Sequence, residues 1–406
     1  MKNARVLFIS YNAVTDSVAQ SQVIPYLEKL SKRGVDISFL SFEKKDPKED
    51  FFIGETRNRL SKSGIDWHTL RYHKRPSLPA TIYDIFQGVI YTFYLLHKYN
   101  FEVIHARMIV PAAICLVLRR FKTFKWLYDM RGLVAEEYVG HGSWKKNGVK
   151  FRLVKFVEKL CLLNADFISV LTYKQKNFIS NSGYLKNKNL NVDIVPCCVD
   201  IDRFRLEPGK NSAIAKELKL EDKFVLIYLG SLGTCYLLPE MIDYFLCLRR
   251  SFKNAFFLFV TNGKSQIILK ETDRMGLEKE DFNIISVPFD KVPEVLSLCD
   301  VGIYFINPYD KFGSFPIKLS EYLACGLPVV INRGIGDSDD IVKRDNLGCV
   351  IEGFGADNYI KSIYQLNELL REKDNLRLRC RKVAENDFSL EMGSGKYHAI
   401  YSRLVK

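Results

Sequence analysis

The sequence has no long hydrophobic run. Among its 406 residues, no apolar segment approaches the ~20 residues that a membrane-spanning helix needs, because the longest candidates, 82–96 and 109–118, are interrupted or short. The first apolar segment, 5–10, is too short for the core of a signal peptide and is better explained as a first strand. We therefore expect a cytoplasmic protein without a membrane span.

Metal-binding and disulfide patterns are also missing. The ten cysteines include no Cys-x-x-Cys pair, and the six histidines have no ligand-like spacing. Most cysteines lie in apolar stretches, such as Cys115 and Cys161, and the adjacent Cys197 and Cys198 are poorly placed to bond to each other. This usage indicates reduced core thiols in a cytosolic protein.

The composition excludes a disordered chain and indicates an anionic partner. At 47% hydrophobic and 26% charged residues, the chain can build real cores, and its length suggests two or three domains. The net charge of +13 and the pI near 9.1 favour anionic ligands. Nucleic acid, anionic lipid and a sugar nucleotide all satisfy that condition, so charge alone does not choose among them.

Strand and helix patterns alternate along the chain. Short apolar runs such as 6–10, 37–42 and 126–129, which we interpret as strands, alternate with helical segments such as 22–33 and 82–99. Alternation of this kind predicts right-handed βαβ units and a doubly wound parallel sheet. The pattern restarts at 224–230 and predicts a second sheet of the same type.

One segment, residues 313–330, combines a loop, a helix, a turn and a buried strand. Pro316 suits the first turn of a helix, Gly326 its end, and the run from Val329 a buried parallel strand. A helix start behind a small-residue loop presents free N–H groups and a positive dipole to an anion. Lys318 adds a cation there, and Glu321 is placed to accept a hydroxyl from the same ligand.

The segment resembles the nucleotide-sugar-dependent glycosyltransferases of family 4, which have the GT-B fold. Their signature is Glu, seven residues and Glu, followed by a stretch like Ala-Cys-Gly-Leu-Pro-Val-Val; the second Glu is Glu321, but Gly313 stands in place of the first. The resemblance therefore implies ribose and diphosphate binding without the first Glu's contact to the donor sugar. It also implies two Rossmann-like domains, residues 1–196 for the acceptor and 197–384 for the nucleotide sugar, with a C-terminal helix at 385–406 that crosses back to the first domain.

The predicted donor-binding residues all lie in the second domain. The loop after the strand at 224–230 has no counterpart of the basic pair common in the family, so phosphate would contact its backbone and Ser231. The alternative interpretation of this loop is an ordinary tight turn between a strand and a helix. For Val292, the alternative is plain packing. The donor-binding residues are Gly230, Ser231, Tyr236, Val292, Ser314, Phe315, Pro316, Ile317, Lys318 and Glu321.

The first domain supplies the remaining candidates. Asp129 aligns with a family histidine near the donor sugar, and Arg131 suits a diphosphate or an anionic acceptor; a buried ion pair between them is the alternative. The predicted catalytic residues are Asp129, Arg131, Lys318 and Glu321. The residues predicted to contact the acceptor or a phosphate are Ser17, Gln20, Ser21, His105 and Arg107. For the first three, an ordinary capped helix is an equal alternative. Glu136 and Glu137 are expected in a loop.

The resemblance implies a hexosyltransferase (EC 2.4) that retains anomeric configuration, with UDP as the expected nucleotide and no cofactor or metal. The leaving diphosphate carries much of the charge and can take the acceptor proton. The expected acceptor is a glycan or a lipid-diphosphate-linked sugar in bacterial capsule, exopolysaccharide or lipopolysaccharide synthesis. A run of aromatic and basic residues at 67–76, followed by the aromatic helix 82–99, suits an anionic membrane surface at the inner face of the cell membrane; core packing of those aromatics is the favoured alternative.

Three other functions stay open. A GT-B-like sugar-nucleotide epimerase has similar anion sites but needs acid–base carboxylates and a His. A non-catalytic nucleic-acid-binding protein fits the charge, although Lys and Arg are dispersed rather than forming one stripe. An inactive relic of a transferase is suggested by Gly313. We expect no nucleic-acid partner, and the sequence specifies neither the donor sugar, the acceptor, the linkage nor the oligomeric state.

Overall fold

The computed structural model describes residues 4–44, 50–140, 142–183, 185, 190–207, 213–233, 235–263, 265–307 and 313–405. The chain forms two compact units. Unit 1 contains Met1–Cys198 and Leu390–Lys406, and unit 2 contains Val199–Ser389.

Unit 1 is built on a parallel sheet of seven strands. Its strands are β1 (Arg5–Ser10), β2 (Asp36–Glu43), β3 (Asp66–Arg71), β4 (Val103–Arg107), β5 (Lys125–Met130), β6 (Phe167–Val170) and β7 (Val192–Ile194). Their order across the sheet is β3-β2-β1-β4-β5-β6-β7, so the winding direction changes between β1 and β4. Ligands of such sheets bind beyond the carboxyl ends of the strands at this switch point.

Nine helices of unit 1 lie in the described residues. They are α1 (Ser17–Gln22), α2 (Ile24–Lys32), α3 (Asp50–Lys62), α4 (Ser77–Lys98), α5 (Ile109–Leu118), α6 (Val134–Gly140), α7 (Val149–Asn164), α8 (Tyr173–Ser180) and the C-terminal helix, labelled α17 below (Leu390–Val405). The last helix packs on α2, where Tyr26 and Tyr397 meet edge to face at 5.5 Å between ring centroids. It therefore completes the hydrophobic core of unit 1.

Unit 2 has a second parallel sheet, of six strands. Its strands are β8 (Phe224–Leu229), β9 (Ala255–Val260), β10 (Phe282–Ile285), β11 (Val301–Tyr304), β12 (Val329–Asn332) and β13 (Gly348–Ile351). The order is β10-β9-β8-β11-β12-β13, with a switch point between β8 and β11. The strands are almost wholly buried, as expected for a parallel sheet covered on both faces.

The helices of unit 2 complete the numbering. They are α9 (Ala213–Glu217), α10 (Leu238–Ser251), α11 (Ser265–Arg274), α12 (Val292–Ser297), α13 (Ile317–Ala324), α14 (Ser338–Arg344), α15 (Ala356–Leu370) and α16 (Lys373–Asp387). The helix and the strand predicted within 313–330 are α13 and β12.

The structure corrects three details of the local predictions. The helix expected over 22–33 is interrupted at Val23, where α1 ends and α2 begins with Pro25 in its first turn. Glu136 and Glu137 lie in α6 and not in a loop. The long aromatic helix begins at Ser77, five residues before the expected Ile82.

Candidate functional site

The switch point of unit 2 is formed by the ends of β8 and β11. Beyond β8 the chain turns at Gly230, whose φ of 109° lies in the region that favours glycine. A Cβ at Gly230 would lie 3.6 Å from the Nζ of Lys318, so the turn passes directly over this amine. Tyr322 fixes the end of β8, because its hydroxyl accepts a 2.8 Å hydrogen bond from the Leu229 amide.

Lys318 lies at this switch point, enclosed by aromatic rings. Its Nζ lies 4.0 Å from the ring centroid of Tyr228, 3.8 Å from that of Tyr236 and 6.0 Å from that of Tyr304. The residue is only 6% exposed, and Nζ has no hydrogen-bond partner among the described residues. Cation–π contacts stabilise a charged amine, but they leave its three N–H donors unsatisfied.

Burial controls the ionisation of Lys318 and Glu321, which lie one turn apart on α13. Burial lowers the pKa of Lys318 to about 7, although Cys235 and Glu321 oppose the shift. Burial likewise raises the pKa of Glu321 to about 7, with Lys318 opposing. A buried amine with a lowered pKa and no partner is suited to accept an anionic ligand, which would restore its charge.

The start of α13 completes the anion site predicted from the sequence. Pro316 has extended backbone at the N-cap, so the first amides of the helix follow from Ile317. Phe315 is buried against Phe388, with 5.1 Å between ring centroids, and this contact holds the loop in place. Gly313 is buried and half-buried Ser314 follows it.

The other donor-binding candidates differ in how closely they approach Lys318. Tyr236 contacts its amine directly, and its ring meets that of Tyr228 edge to face at 5.5 Å. Ser231 is exposed beside Gly230, and its carbonyl accepts a 3.1 Å hydrogen bond from the Tyr228 hydroxyl. Val292 is buried at the start of α12, in agreement with the packing alternative.

Four candidates of unit 1 come together in a buried polar network. Asp129 accepts hydrogen bonds from Arg107 at 3.0 Å and Ser169 at 2.9 Å, and Arg131 lies 3.6 Å away. The Nε2 of His105 lies 3.5 Å from the same carboxylate, and its Nδ1 is 2.6 Å from the Tyr401 hydroxyl on α17.

This network fits the alternative of a buried structural ion pair. Asp129 is fully buried, and although burial opposes ionisation, Arg131, His105 and Arg107 hold its pKa well below the usual range. Burial lowers the pKa of His105, although the neighbouring Asp129 opposes the shift. Arg131 also donates to the Val195 carbonyl at 3.1 Å and to the Tyr397 hydroxyl at 3.3 Å, so the network joins β4, β5 and β6 to the C-terminal helix. Catalytic roles for Asp129 and Arg131 stay predictions.

The candidates on α1 use their side chains locally. Gln20 donates a 2.7 Å hydrogen bond to the Val14 carbonyl, and Ser21 donates a 2.9 Å bond to the Ser17 carbonyl one turn earlier. Ser17 is exposed. These contacts fit a locally bonded helix, and contact with acceptor or phosphate stays a prediction.

The sequence interpretation missed a polar cluster beside β1 and β3. Asp84 of α4 is fully buried and accepts hydrogen bonds from the Tyr11 hydroxyl at 2.7 Å and the His73 amide at 3.0 Å. Its other oxygen lies 2.6 Å from the Nδ1 of His73. One signal was available, because Asp84 is the only acidic residue in the 22 residues of α4 and lies on the same helical face as Ala80 and Gly88.

The two parallel sheets define a class of protein, the two-domain α/β enzymes with the GT-B fold. Residues 210–387 match the family described as glycosyl transferases group 1. The match covers most of unit 2, and together with the fold it shows that the chain is a glycosyltransferase.

Solved structures of low sequence identity share the fold over the whole chain. Sucrose-phosphate synthase from Thermosynechococcus elongatus has a TM-score of 0.76 at 16% identity, and 99% of each chain is covered. HepE from Anabaena, solved in complex with UDP and glucose, has a TM-score of 0.72 at 14% identity, covering 99% of this chain and 100% of its own. A glycosyltransferase from Rickettsia africae has a TM-score of 0.74 at 15% identity, and 100% of each chain is covered. No curated protein matches the sequence.

Proposed function

We propose that the chain transfers a sugar from a UDP-linked donor to a glycan or lipid-diphosphate-linked acceptor, with retention of the anomeric configuration. The pathway we propose is the synthesis of a bacterial capsule, exopolysaccharide or lipopolysaccharide. Sugar transfer itself is supported by the match of residues 210–387 to the glycosyl transferases group 1. The donor, the stereochemistry and the pathway are the proposal.

The donor assignment rests on one observation. The amine of Lys318 is buried and has no hydrogen-bond partner among the described residues. Leaving such a donor unsatisfied is costly, so the site gains most from a ligand that brings anionic oxygens. The Gly230 turn lies over this amine, and the amine belongs to the first turn of α13, where backbone N–H groups lack a partner within the helix. A diphosphate suits both groups, and the UDP bound in the Anabaena structure supports a uridine nucleotide.

The proposed division of roles follows from chemistry and position. Lys318 and the backbone amides hold the diphosphate and stabilise the charge that develops as it leaves. Glu321 accepts hydrogen bonds from the ribose hydroxyls. Gly313 offers no side chain to the donor sugar, which is then oriented by other groups. This arrangement assigns no role to a metal ion, so the affinity for UDP should be the same in EDTA and in Mg²⁺.

The experiment is a donor screen. UDP release is measured with UDP-glucose, UDP-galactose and UDP-N-acetylglucosamine, and the anomeric configuration of the released sugar is read by proton NMR. We expect release with one of them, lost in Lys318→Met and kept in Lys361→Met, a change of an exposed lysine in the same unit. Equal release by both variants would contradict the assignment of Lys318, and an inverted product would contradict retention.

We also propose that unit 1 binds an anionic membrane surface at the cytoplasmic face, through one side of α4. Seven large apolar residues on this helix are exposed, Leu78 among them, and the other six do not fill the core as the packing alternative required: Ile82, Tyr83, Phe86, Ile90, Phe93 and Tyr94. Their spacing places them along one side of α4, opposite the buried Ala80, Asp84 and Gly88.

A basic residue of α4 itself supports a lipid partner of negative charge, because the Nζ of Lys98 lies 5.8 Å from the ring centroid of Tyr94. Helix α5 packs between α4 and α7, and α7 exposes Val149, Leu153 and Phe156 together with Lys150 and Arg152. Aromatic and aliphatic side chains interleaved with Lys and Arg are typical of proteins that lie on an anionic bilayer. In the described residues no helix is both long and apolar enough to span the bilayer.

A further inference from the structure

We propose that Cys235 of unit 2 is a site of reversible oxidation, and that its oxidised form blocks the diphosphate site at Lys318. The oxidant is a peroxide, and the second reactant is a low-molecular-weight thiol. The modification itself is independent of the proposed function, and only its consequence for the donor rests on that function.

Burial singles out two of the thiols as accessible. All ten cysteines lie in the described part of the chain and carry thiols, not disulfides, and eight of them are buried. Burial makes a thiol inert, and it raises the pKa of Cys349, for example, to about 12. The other two, Cys235 and Cys247, are half-buried, so small reactants can reach them. The choice of an oxidation site therefore lies between these two.

The backbone holds Cys235 beside the carboxyl end of β11. The Cys235 carbonyl accepts a 2.8 Å hydrogen bond from the amide of Asn307, three residues beyond that strand. The next residue, Tyr236, pairs with Ile306 in an antiparallel bridge. This is the edge of the sheet at which the switch point of unit 2 lies, so Cys235 belongs to the candidate donor site and not to a remote loop.

Three neighbours locate the thiol among the aromatic rings that surround Lys318. Cys235 interacts electrostatically with the Lys318 amine. It also interacts with the hydroxyl groups of Tyr228 and Tyr236, whose ring centroids lie 4.0 and 3.8 Å from that amine. The amine is buried and forms no hydrogen bond with a described residue, so it responds strongly to a negative charge on the sulfur.

The amine and the thiol favour each other's charged form. Cys235 opposes the lowering of the Lys318 pKa by burial, and the effect is mutual, because an ammonium group favours a thiolate beside it. The thiolate, not the thiol, is the form that attacks a peroxide. At Cys247 burial raises the pKa, with Arg250 opposing and Asp243 adding to the shift. We therefore expect Cys235 to react first.

The oxidation balances with the two reactants named. The thiolate sulfur attacks one oxygen of hydrogen peroxide, so that an S–O bond forms and the O–O bond breaks. The leaving hydroxide takes the proton given up by the thiol and becomes water, while the sulfur loses two electrons and becomes a sulfenic acid. A low-molecular-weight thiol then forms a disulfide with this sulfur and water leaves. A second molecule of that thiol restores Cys235 by exchange.

Either oxidised form would compete with the diphosphate of the donor. The sulfenic oxygen offers the Lys318 amine the hydrogen-bond acceptor that no described residue supplies. The mixed disulfide adds a bulky group next to Tyr236, whose ring lies 3.8 Å from the amine. A diphosphate would lose its cation in the first case and its space in the second.

The first test maps the oxidation in the full-length protein. Hydrogen peroxide is added together with dimedone, which traps sulfenic acids, and the labelling rate of each cysteine is read by peptide mass spectrometry. We expect Cys235 to be labelled about tenfold or more faster than Cys247, a preference lost in Lys318→Met and kept in Lys318→Arg, which retains a cation. Equal rates at the two cysteines in the wild type, or a preference that Lys318→Met leaves unchanged, would overturn the proposal.

The second test measures the block. The shift in melting temperature caused by UDP is recorded before and after treatment with hydrogen peroxide and glutathione. We expect the treatment to remove the shift in the wild type and in Cys247→Ser, and dithiothreitol to restore it. Cys235→Ser should keep the shift of its own untreated form. A wild-type shift that survives complete modification of Cys235 would overturn the block.

The proposed function and the oxidation of Cys235 fail in different ways. If UDP causes no shift in the untreated wild type, the donor site proposed for unit 2 is contradicted, and the block is contradicted with it. The labelling experiment contains no nucleotide, so its rates still decide whether Cys235 is the thiol that peroxide oxidises.

Discussion

At the scale of single residues, Lys318 is in an environment that destabilises its charge until an anion arrives. The amine is buried against Tyr228 and Tyr236, and no described residue forms a hydrogen bond with it. Sites that keep a group in an unfavourable state commonly do so for function. Two predictions follow from this feature, one for binding and one for stability.

The affinity for UDP should fall as the pH rises above about 7. Burial lowers the pKa of Lys318 to about 7, and a bound diphosphate would raise it again because it favours the ammonium form. Below that pH the amine is already charged; above it, binding must take up a proton, and affinity falls by up to about tenfold per pH unit. Titration calorimetry from pH 6 to 9 measures this dependence.

Lys318→Arg is the control for that dependence. A guanidinium stays protonated throughout this range, so its UDP affinity should lack the fall above pH 7. If the wild type and Lys318→Arg lose affinity in parallel as the pH rises, the dependence comes from another group, and the role given to the Lys318 amine is wrong.

Lys318→Met should raise the stability of the protein while abolishing UDP binding. The folded-state pKa is lowered, so the unfolded chain holds more protons on this group at neutral pH, and the lysine destabilises the fold there. Methionine occupies a similar volume without that cost. Scanning fluorimetry at pH 7 should show an increase of a few degrees; a decrease would mean that the buried amine contributes to stability.

Asp129→Asn should destabilise the protein without changing UDP affinity. The substitution removes the charge that compensates Arg107 and Arg131 in the interior of unit 1, and breaking a buried ion pair on one side costs about 3–5 kcal/mol. Urea unfolding measures the loss, and titration with UDP is the control. Wild-type stability combined with lost sugar transfer would instead support the catalytic assignment made from the sequence.

The residue types of both sites were visible in the sequence, but their surroundings were not. Lys318 and Glu321 were identified because they belong to one local motif. Beside Asp129 lies His105, which is bonded to Tyr401 in a helix whose packing no local pattern describes. The aromatic rings around Lys318 likewise come from separate parts of the chain, since they belong to Tyr228, Tyr236 and Tyr304. His73, which contacts Asp84, lies outside the helix that carries Asp84.

At the scale of secondary structure elements, α4 has a buried face and an exposed apolar face that the sequence pattern could not distinguish. One face, with Ala80, Gly88 and Thr92, packs in unit 1, while the other exposes Phe86, Ile90 and their apolar neighbours. Both faces are apolar, so periodicity indicated a helix without showing which side is buried. The strands were easier to predict, because a short β-branched run between two amphipathic segments is typical of a buried parallel strand.

Replacing Phe86 and Ile90 by glutamate should release the protein from anionic membranes. Phe86 is 60% exposed and Ile90 55%, so the change removes no core contact, whereas each side chain would contribute about 1.5–3 kcal/mol if buried in lipid. Flotation with phosphatidylglycerol vesicles should show at least a tenfold loss of binding, with melting temperature unchanged. Equal binding by wild type and variant would exclude this face of α4.

A matched variant and a neutral lipid complete that test. Ile267→Glu changes a 51% exposed apolar residue on α11 of unit 2 and should bind vesicles like the wild type. Binding of the wild type to phosphatidylcholine vesicles should be weaker than to phosphatidylglycerol vesicles at low salt. Equal binding to both lipids would contradict the contribution of the basic residues.

At the scale of the whole molecule, the charge of +13 fits more than one partner, and the fold narrows the choice. A surface of this charge attracts nucleic acid as readily as anionic lipid, and both interactions weaken with salt. The two parallel sheets and the group 1 match of residues 210–387 identify a glycosyltransferase. Chemical specificity therefore rests on a small site at β8, β11 and α13, not on the overall charge.

The central claim is that this site binds a uridine diphosphate through Lys318, and calorimetric titration of the full chain with UDP, GDP and a short RNA tests it most directly. The account predicts saturable binding of UDP at physiological salt, lost in both Lys318→Met and Glu321→Ala and unchanged in Lys361→Met. Binding of RNA without any response to either nucleotide, or UDP affinity that is unaffected in Lys318→Met, would contradict it.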